Sequence, residues 1–379
     1  MLGVGALGCG EGGPDPAATL AVEVRWPAGW GEGAAPGLRV VAVGGDGVRR
    51  EASTDAMGVA RFAGVAMEPY RLEAEVALDA DRVFGLTGHR IATTARLSVE
   101  VAAGPGDVPV RVALTAPRLG GWVIGEAYYT GSPGVGGTHY FSDQFVELVN
   151  NSTEVLYADG LMVGDLHGPS GEINPGTRPT PFAARDPDHV YVANVWRVPG
   201  GGTDHPVPPG GSVVLAQDGT NHMPFSPLDL SDADWETYNA RSNGRDEDSP
   251  TVPNLEAYHY TAGFDWLVTV FGPALVVFRV EAPDALRRER TTLGDRVVVP
   301  VDAVLDGFEA LQDEGSAAFR RLPDGVDRGF VFASGTYTGE SFERRVAARI
   351  GGRPVLVDTD DCAADFRRLD TPTPREFAD

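Results

Sequence analysis

The feature that most constrains the fold of this chain is a period-two alternation of apolar and polar residues in many short segments. Residues 20–24, 38–43, 70–76 and 108–112 each place apolar side chains on one face and polar or small ones on the other, as half-buried strands do. Glycine (49) and proline (29) occur throughout without a repeat period, which favours turns between short strands over long helices. The pattern predicts an all-β protein with less than about 15% helix.

The length of 379 residues predicts more than one domain, since single domains hold roughly 100 to 200 residues. We predict two immunoglobulin-like or transthyretin-like β-sandwiches, over residues 18–117 and 118–379. The second is enlarged by a polar, Asp-rich insertion at about 220–270. Within it, residues 231–236 predict a short helix with Ser231 as its N-cap.

Acidic residues dominate the charge of the chain. Aspartate and glutamate (54) outnumber lysine and arginine (31), which gives a formal net charge of −23. Such a chain repels phosphate backbones, so nucleic acid is not an expected partner. The acidic residues are spread along the sequence, which favours a solubilising surface, with cation binding as the alternative. No apolar run approaches the roughly 20 residues of a membrane helix.

The first residues contain one of only two cysteines, Cys9. Residues 6–9, Ala-Leu-Gly-Cys, follow a short apolar stretch and resemble the end of a bacterial lipoprotein signal peptide. The resemblance implies a lipid on Cys9, a flexible tether over residues 10–17, and an exported protein anchored in the bacterial envelope, at the outer membrane or cell surface. A disordered tail with an incidental cysteine is the alternative. Cys362 is then left without a disulfide partner.

The middle of the first domain carries a recognisable turn. Residues 54–62, Thr-Asp-Ala-Met-Gly-Val-Ala-Arg-Phe, followed by Gly64 and Tyr70, resemble carboxypeptidase-regulatory-like and transthyretin-like modules. In those modules an Asp and a Gly form a turn and two aromatics fill the core. The resemblance implies an accessory sandwich without catalysis.

The second domain resembles lamin-tail-like immunoglobulin folds. The match lies in residues 145–151, where that fold points an acidic residue, here Glu147, outward, and in the Pro-Gly-Gly turn and strand of 207–216. Together with residues 334–339 and 357–361, the pattern is similar to a family of envelope lipoproteins known as domain of unknown function 4876. That family has no established activity, so the resemblance implies location and fold only.

Sequence motifs for catalysis or metal binding are scarce. The signatures His-Glu-x-x-His, Gly-x-Ser-x-Gly, the phosphate loop and paired-cysteine spacings do not occur, although a catalytic site can assemble from distant residues. No cofactor is predicted, and calcium is the one ion considered, at carboxylates that could instead form turns and cap a short helix. These candidates are Asp358, Asp360, Asp361 and Asp365. Residues 246–248, Asp-Glu-Asp, are interpreted as exposed loop.

Aromatic residues cluster in and beside the predicted insertion. On a β-sandwich such a group could form a binding surface for a protein or a sugar, because aromatic rings give a large contact area with little entropy loss. Filling of the core is the alternative. The residues are Trp235, Tyr238, Tyr258, Tyr260 and Trp266.

The sequence therefore favours a non-catalytic envelope lipoprotein that presents loops to a protein partner or a glycan. Whether the chain is an enzyme is left open. One alternative is an exported hydrolase with a site in the insertion, and another is an accessory subunit of an envelope transport or adhesion complex.

Overall fold

The protein is nearly all β. In the computed structural model 8% of the chain is helical and 41% is strand, which confirms the predicted class and the limit on helix. The chain separates into two compact units, Met1–Arg118 and Leu119–Asp379. The structure describes residues 18–31, 33–103, 108–172, 182–261, 263, 265, 266 and 268–378.

The first unit is built from two small sheets, with strand orders β4-β1-β7 and β3-β2-β5-β6. Their apolar faces share one core, as in a β-sandwich. The elements are β1 (Ala18–Arg25), β2 (Arg39–Val43), β3 (Arg49–Ser53), β4 (Val59–Val65), β5 (Pro69–Leu78), α1 (Ala80–Thr87), β6 (Thr93–Ala102) and β7 (Val110–Ala113).

A tight turn before β4 fixes the register of this unit. Asp55 accepts hydrogen bonds from the backbone N–H groups of Met57 and Val59, both at 2.9 Å. Gly58 has a φ of 74°, and a Cβ there would come within 2.5 Å of the Ala34 side chain. Only glycine fits both the conformation and the space.

The second unit contains the remaining elements of the described chain. They are β8 (Trp122–Tyr128), β9 (Phe145–Asn150), β10 (Leu156–Tyr157), β11 (Met162–Leu166), α2 (Phe182–Arg185), β12 (His189–Arg197), β13 (Pro206–Val207), β14 (Ser212–Ala216), β15 (Trp235–Glu236), β16 (Glu256–His259), β17 (Ala274–Phe278), β18 (Arg288–Thr291), β19 (Gly294–Pro300), β20 (Val304–Glu309), β21 (Ser341–Arg344), β22 (Val346–Ile350), β23 (Arg353–Leu356), α3 (Cys362–Asp365) and β24 (Phe366–Leu369). Short 3-10 turns occur at 135–137, 283–285, 301–303 and 314–319.

Two large sheets form the body of this unit. One has the strand order β15-β14-β9-β8-β21-β24, and the other has the order β18-β19-β12-β11-β17-β20, with β16 paired to β12. Residues of both sheets, among them Trp122, Leu148, Trp196 and Phe308, meet in one buried cluster. The unit is therefore a second, larger sandwich.

Two local predictions in this unit are wrong. Residues 231–236 form a turn and then strand β15, because Asp234 exchanges hydrogen bonds with the backbone of Val214 and docks the segment beside β14. Glu147 does not face solvent; it is fully buried, and the backbone N–H of Arg375 donates to it at 3.0 Å. The end of the chain covers this face of the sheet.

Candidate functional site

Loops gather at one end of the six-stranded sheet. The connection between β14 and β17, residues 217–273, meets the loop between β8 and β9, residues 129–144: the amide of Gln144 donates to the backbone oxygen of Val268 at 2.9 Å. Most of the described residues in this connection lie outside helices and strands. Long loops of this kind on a rigid sandwich are usually functional.

Four aromatic side chains form what we call the aromatic patch: His139, Tyr140, Phe225 and Tyr337. The rings of Tyr140 and Phe225 stack with centroids 5.2 Å apart, and those of His139 and Tyr337 lie 4.1 Å apart. The Tyr140 hydroxyl is hydrogen-bonded to Nδ1 of the buried His222 at 2.7 Å. Phe225 is 54% exposed, so the patch offers apolar area to solvent.

Tyr337 is held in a strained conformation. Its φ is 56°, in the left-handed region that bulky residues rarely adopt. Its N–H donates to the carbonyl of Thr130 at 2.7 Å, and the N–H of Gly339 donates to Gly131 at 2.9 Å. Strained residues that neighbouring loops hold in place concentrate at binding sites.

The charges around the patch are acidic. Burial raises the pKa of Tyr140, and the carboxylates of Asp143, Asp218 and Glu247 raise it further. Burial also lowers the pKa of His222. The patch therefore lies in a negative potential.

Three aspartates of the same connection form what we call the carboxylate cluster: Asp218, Asp246 and Asp265. Asp218 follows β14, Asp246 lies between β15 and β16, and Asp265 precedes β17. They are 8%, 5% and 4% exposed, and one carboxylate oxygen from each lies within 4.8 Å of the others. The interpretation of Asp246 as exposed loop is wrong.

Each carboxylate in the cluster leaves one oxygen unused. Oδ2 of Asp246 accepts from the backbone N–H of Asn239 at 2.7 Å, and Oδ2 of Asp265 accepts from the amide of Gln217. Oδ1 of Asp218, Asp246 and Asp265 is buried without a partner, and so is Oε1 of Gln217. These are the oxygens that could bind a cation.

Among the described residues, no cation offsets the repulsion within the cluster, so its carboxyl groups hold their protons more tightly than usual. Burial, together with repulsion from Asp265 and Asp246, raises the pKa of Asp218 to about 8. Burial, with repulsion from Asp265 and Glu236 among others, raises the pKa of Asp246 to about 7. Burial also raises the pKa of Asp265. Within the described chain no ion pair joins an arginine or histidine to any of the three.

The carboxylate cluster and the aromatic patch share a backbone segment. Nε2 of His222 is hydrogen-bonded to the carbonyl of Asp218 at 2.9 Å, while its Nδ1 contacts Tyr140. Glu236 accepts from the backbone N–H groups of Gly219 and Ser249, each at 2.6 Å. The position of Asp218 thus influences the position of Tyr140.

The predicted aromatic surface is corrected at two positions. Trp235 and Trp266 are 4% and 2% exposed and belong to the core of the second unit, so core filling accounts for them. Tyr258 and Tyr260 are half-buried, and their hydroxyls donate to backbone carbonyls. Tyr238 is half-exposed. The exposed aromatic area lies instead at the aromatic patch, whose members are separated by up to about 200 positions in sequence and form no local motif.

The predicted calcium candidates have other partners. Arg344 is buried and lies 2.6 Å from Asp306, 3.2 Å from Asp358 and 3.2 Å from Asp365. We call these four residues the arginine cluster. Burial opposes the charge on Arg344, but the carboxylates outweigh it and raise the pKa of the guanidinium.

The other two candidates occupy a turn and a helix cap. Asp361 caps helix α3 by accepting from the N–H of Ala363 at 3.1 Å. Asp360 has a φ of 54° and sits in the preceding turn. Both roles match the alternative interpretation of this segment.

A cleft of about 270 Å³ beside β11 and β17 is where a hydrolytic site would have room. Its ionisable groups include Asp165, His167 and Arg321. Asp165 accepts from the indole of Trp266 at 2.8 Å, and Arg321 is paired with the buried Glu309 at 2.8 Å. Burial lowers the pKa of His167 to about 4. The charged members are therefore already used in packing.

Cys9 lies outside the described residues. Cys362 is a free, buried thiol, and burial raises its pKa. Among the described residues, no helix has both the length and the apolar character needed to cross a bilayer.

Residues 208–373 match the sequence profile of the family described as protein of unknown function, DUF4876. This part of the chain is similar to the DUF4876 family, as the sequence pattern indicates. The matched range contains all of the carboxylate cluster, as well as Phe225 and Tyr337 of the aromatic patch.

Solved structures extend the likeness to the DUF4876 fold. A DUF4876 family protein from Bacteroides thetaiotaomicron VPI-5482 has a TM-score of 0.62 at 22% identity, over 94% of this chain and 96% of the other. An adhesin candidate from Bacteroides ovatus ATCC 8483 has a TM-score of 0.20 at 11% identity, over 78% and 89% of the two chains; this likeness carries no weight. No curated protein matches the chain.

Proposed function

We propose that this chain is a non-catalytic binding protein of the bacterial envelope whose aromatic patch docks a protein partner. The partner would present an apolar centre bordered by basic residues. The observation that carries the proposal is the exposed ring of Phe225 stacked on Tyr140, in a patch that also contains Tyr337 with its strained backbone.

Two properties of the patch favour a protein partner. Met223 and Val135, near the patch residues in sequence, are also exposed, and methionine and aromatic side chains are enriched in protein interfaces. The nearby carboxylates of Asp143 and Glu247 complement basic residues on a partner, which speeds association and adds specificity. A glycan is the rival ligand.

Photo-crosslinking tests the docking site. A crosslinking amino acid replaces Phe225 in the full chain, and a matched probe replaces Met57, which is 73% exposed on the first unit. We expect a specific envelope protein to crosslink at position 225 and not at 57. Phe225→Ser should weaken binding of that purified protein by roughly tenfold or more, as expected for a central interface residue. High salt should weaken it as well.

Two outcomes contradict the docking proposal. One is an identical set of crosslinked proteins at positions 225 and 57. The other is that this protein still binds the envelope extract after the extract is treated with protease, but no longer binds it after its glycans are oxidised. That result would assign the patch to a sugar.

We also propose that a lipid on Cys9 attaches the chain to the envelope, on the strength of the signal-like residues 6–9. Two or three acyl chains hold a protein to a bilayer far more firmly than one. The native gene should give a protein that takes up labelled fatty acid and enters the detergent phase. Cys9→Ser should do neither, and Cys362→Ala should behave like the native protein. Equal labelling of Cys9→Ser and native protein would contradict the anchor.

A further inference from the structure

The carboxylate cluster buries three acidic side chains around unused oxygen atoms. We propose that Asp218, Asp246 and Asp265 bind a calcium ion, with Oε1 of Gln217 as a fourth ligand. The site differs from the acidic segment near Asp358 that the sequence suggests. The proposal goes beyond the proposed function and does not depend on the partner of the aromatic patch.

The spacing of the carboxylates suits a single ion. One oxygen from each aspartate lies within 4.8 Å of the others. Calcium binds oxygen at about 2.3–2.6 Å, so ligands on opposite sides of the ion are roughly 5 Å apart. One cation between the three side chains can therefore reach all of them.

The unpartnered oxygens are an independent observation. Buried polar atoms are almost always hydrogen-bonded, yet four oxygens from neighbouring side chains have neither a partner nor solvent. These atoms are Oδ1 of Asp218, Asp246 and Asp265, and Oε1 of Gln217. Because the second oxygen of Asp246 and of Asp265 is already held by a donor, these carboxylates are fixed in place before an ion arrives.

The donor set selects calcium. All four candidate ligands are oxygen atoms, which hard cations prefer, whereas zinc and copper sites use nitrogen or sulfur. Both ring nitrogens of the nearby His222 are already engaged, by Tyr140 and by the carbonyl of Asp218. Magnesium demands a small octahedral shell and keeps several waters, while calcium accepts six to eight oxygens in flexible geometry. Water molecules or backbone carbonyls would supply the remaining oxygen ligands of the calcium ion.

Calcium at this position would join three separate stretches of the 217–273 connection. Asp218 also fixes His222 through its carbonyl, and His222 contacts Tyr140 of the aromatic patch. Binding of the ion is thus coupled to the loop that carries the patch.

Terbium luminescence tests the site in the full chain. Terbium replaces calcium and emits when nearby aromatic rings are excited. Tyr260 donates to the backbone of Asp265, and Trp266 follows it in sequence, so both lie within transfer range. We expect one terbium per chain, displaced by calcium and far less effectively by magnesium. Calcium at a hundredfold excess over Kd should raise Tm by roughly 5 °C or more.

Two matched variants decide the outcome. Asp246→Asn keeps the shape of the side chain and should lower calcium affinity by at least about tenfold, since even outer groups of metal sites change affinity by roughly 10- to 100-fold. Asp232→Asn makes the same substitution at an exposed aspartate of the 217–273 connection and should leave affinity unchanged. If Asp246→Asn does not fold, Asp218→Asn serves in its place. Absence of saturable terbium emission and of a calcium-dependent Tm in the native chain, or equal affinity in the two variants, would overturn the proposal.

Discussion

The second unit contains two groups of three aspartates, and the groups differ in the charges that face them. In the arginine cluster, Asp306, Asp358 and Asp365 surround the guanidinium of Arg344. In the carboxylate cluster, the described chain supplies no such ion pair and leaves buried oxygens without partners. Ionised carboxylates removed from water need a counter-charge. The arginine cluster contains its own cation, Arg344. The carboxylate cluster would take a cation from solution.

Removal of Arg344 should have the largest effect on stability. Arg344→Met leaves Asp306 and Asp365 buried without their cation, and breaking a buried ion pair costs about 3–5 kcal/mol of unfolding free energy. Urea denaturation measures the loss. Arg39→Met, in the exposed pair with Glu51, should change little. A similarly small loss for Arg344→Met would refute the assigned role of the arginine.

When calcium is chelated, an Asp→Asn substitution should change the free energy of unfolding in opposite directions in the two clusters. Asp246→Asn removes a repulsive charge and a buried oxygen without a partner, and a buried polar atom without a partner costs about 1–3 kcal/mol. This variant should be more stable than the native chain. Asp365→Asn weakens the contacts to Arg344 and Thr359 and should be less stable, by about 1.5–3 kcal/mol. If denaturant titrations show that both variants are stabilised or both are destabilised, the proposed difference between the two clusters is wrong.

The carboxylate cluster should also make the free energy of unfolding depend on pH. Burial raises the pKa of Asp218 to about 8 and that of Asp246 to about 7, above the ordinary 3.8, so the folded state holds extra protons. The stability that these protons contribute is full below about pH 4 and is lost as the pH rises through 7 to 8. Each such proton changes unfolding free energy by about 1.4 kcal/mol per pH unit.

A double variant isolates this effect. In the presence of a chelator, the free energy of unfolding should fall less between pH 5 and 8 in the double variant Asp218→Asn/Asp246→Asn than in the native chain. Burial also raises the pKa of Glu126 to about 8 and that of Glu147 to about 7, but these groups contribute equally to both proteins. Parallel pH profiles would show that the cluster does not titrate in this range.

The aromatic patch should contribute least to stability. Phe225 is largely exposed, and substitutions on the surface usually change unfolding free energy by less than about 0.5 kcal/mol. Phe225→Ser should therefore unfold like the native chain and retain its calcium response. A loss above about 2 kcal/mol would place Phe225 in the core and remove it as a binding residue.

The fold class could be predicted from the sequence, and strand β9 (Phe145–Asn150) is an example, since its apolar residues are bounded by turn signals. The environment of Glu147 could not, because the residues that cover it come from the far end of the chain. Likewise, Trp235 resembles part of a helix until the pairing with β14 is known.

The carboxylate cluster is invisible to motif analysis. Asp218, Asp246 and Asp265 are 28 and 19 positions apart and match no calcium-loop spacing. The run of aspartates near Asp358 attracts attention instead, but its counter-charge, Arg344, lies on strand β21 and becomes a partner only through folding. Local density of acidic residues thus points to the cluster that already has a cation.

The calcium dependence of unfolding free energy in three proteins tests the central distinction most directly. The native chain, Asp246→Asn and Asp365→Asn would be denatured with urea in chelator and in millimolar calcium. We predict that calcium stabilises the native chain and Asp365→Asn by similar amounts, about 2.7 kcal/mol at a hundredfold excess over Kd, and stabilises Asp246→Asn far less. An equal calcium response in all three proteins, or a response lost only in Asp365→Asn, would contradict the assignment of the ion to the carboxylate cluster.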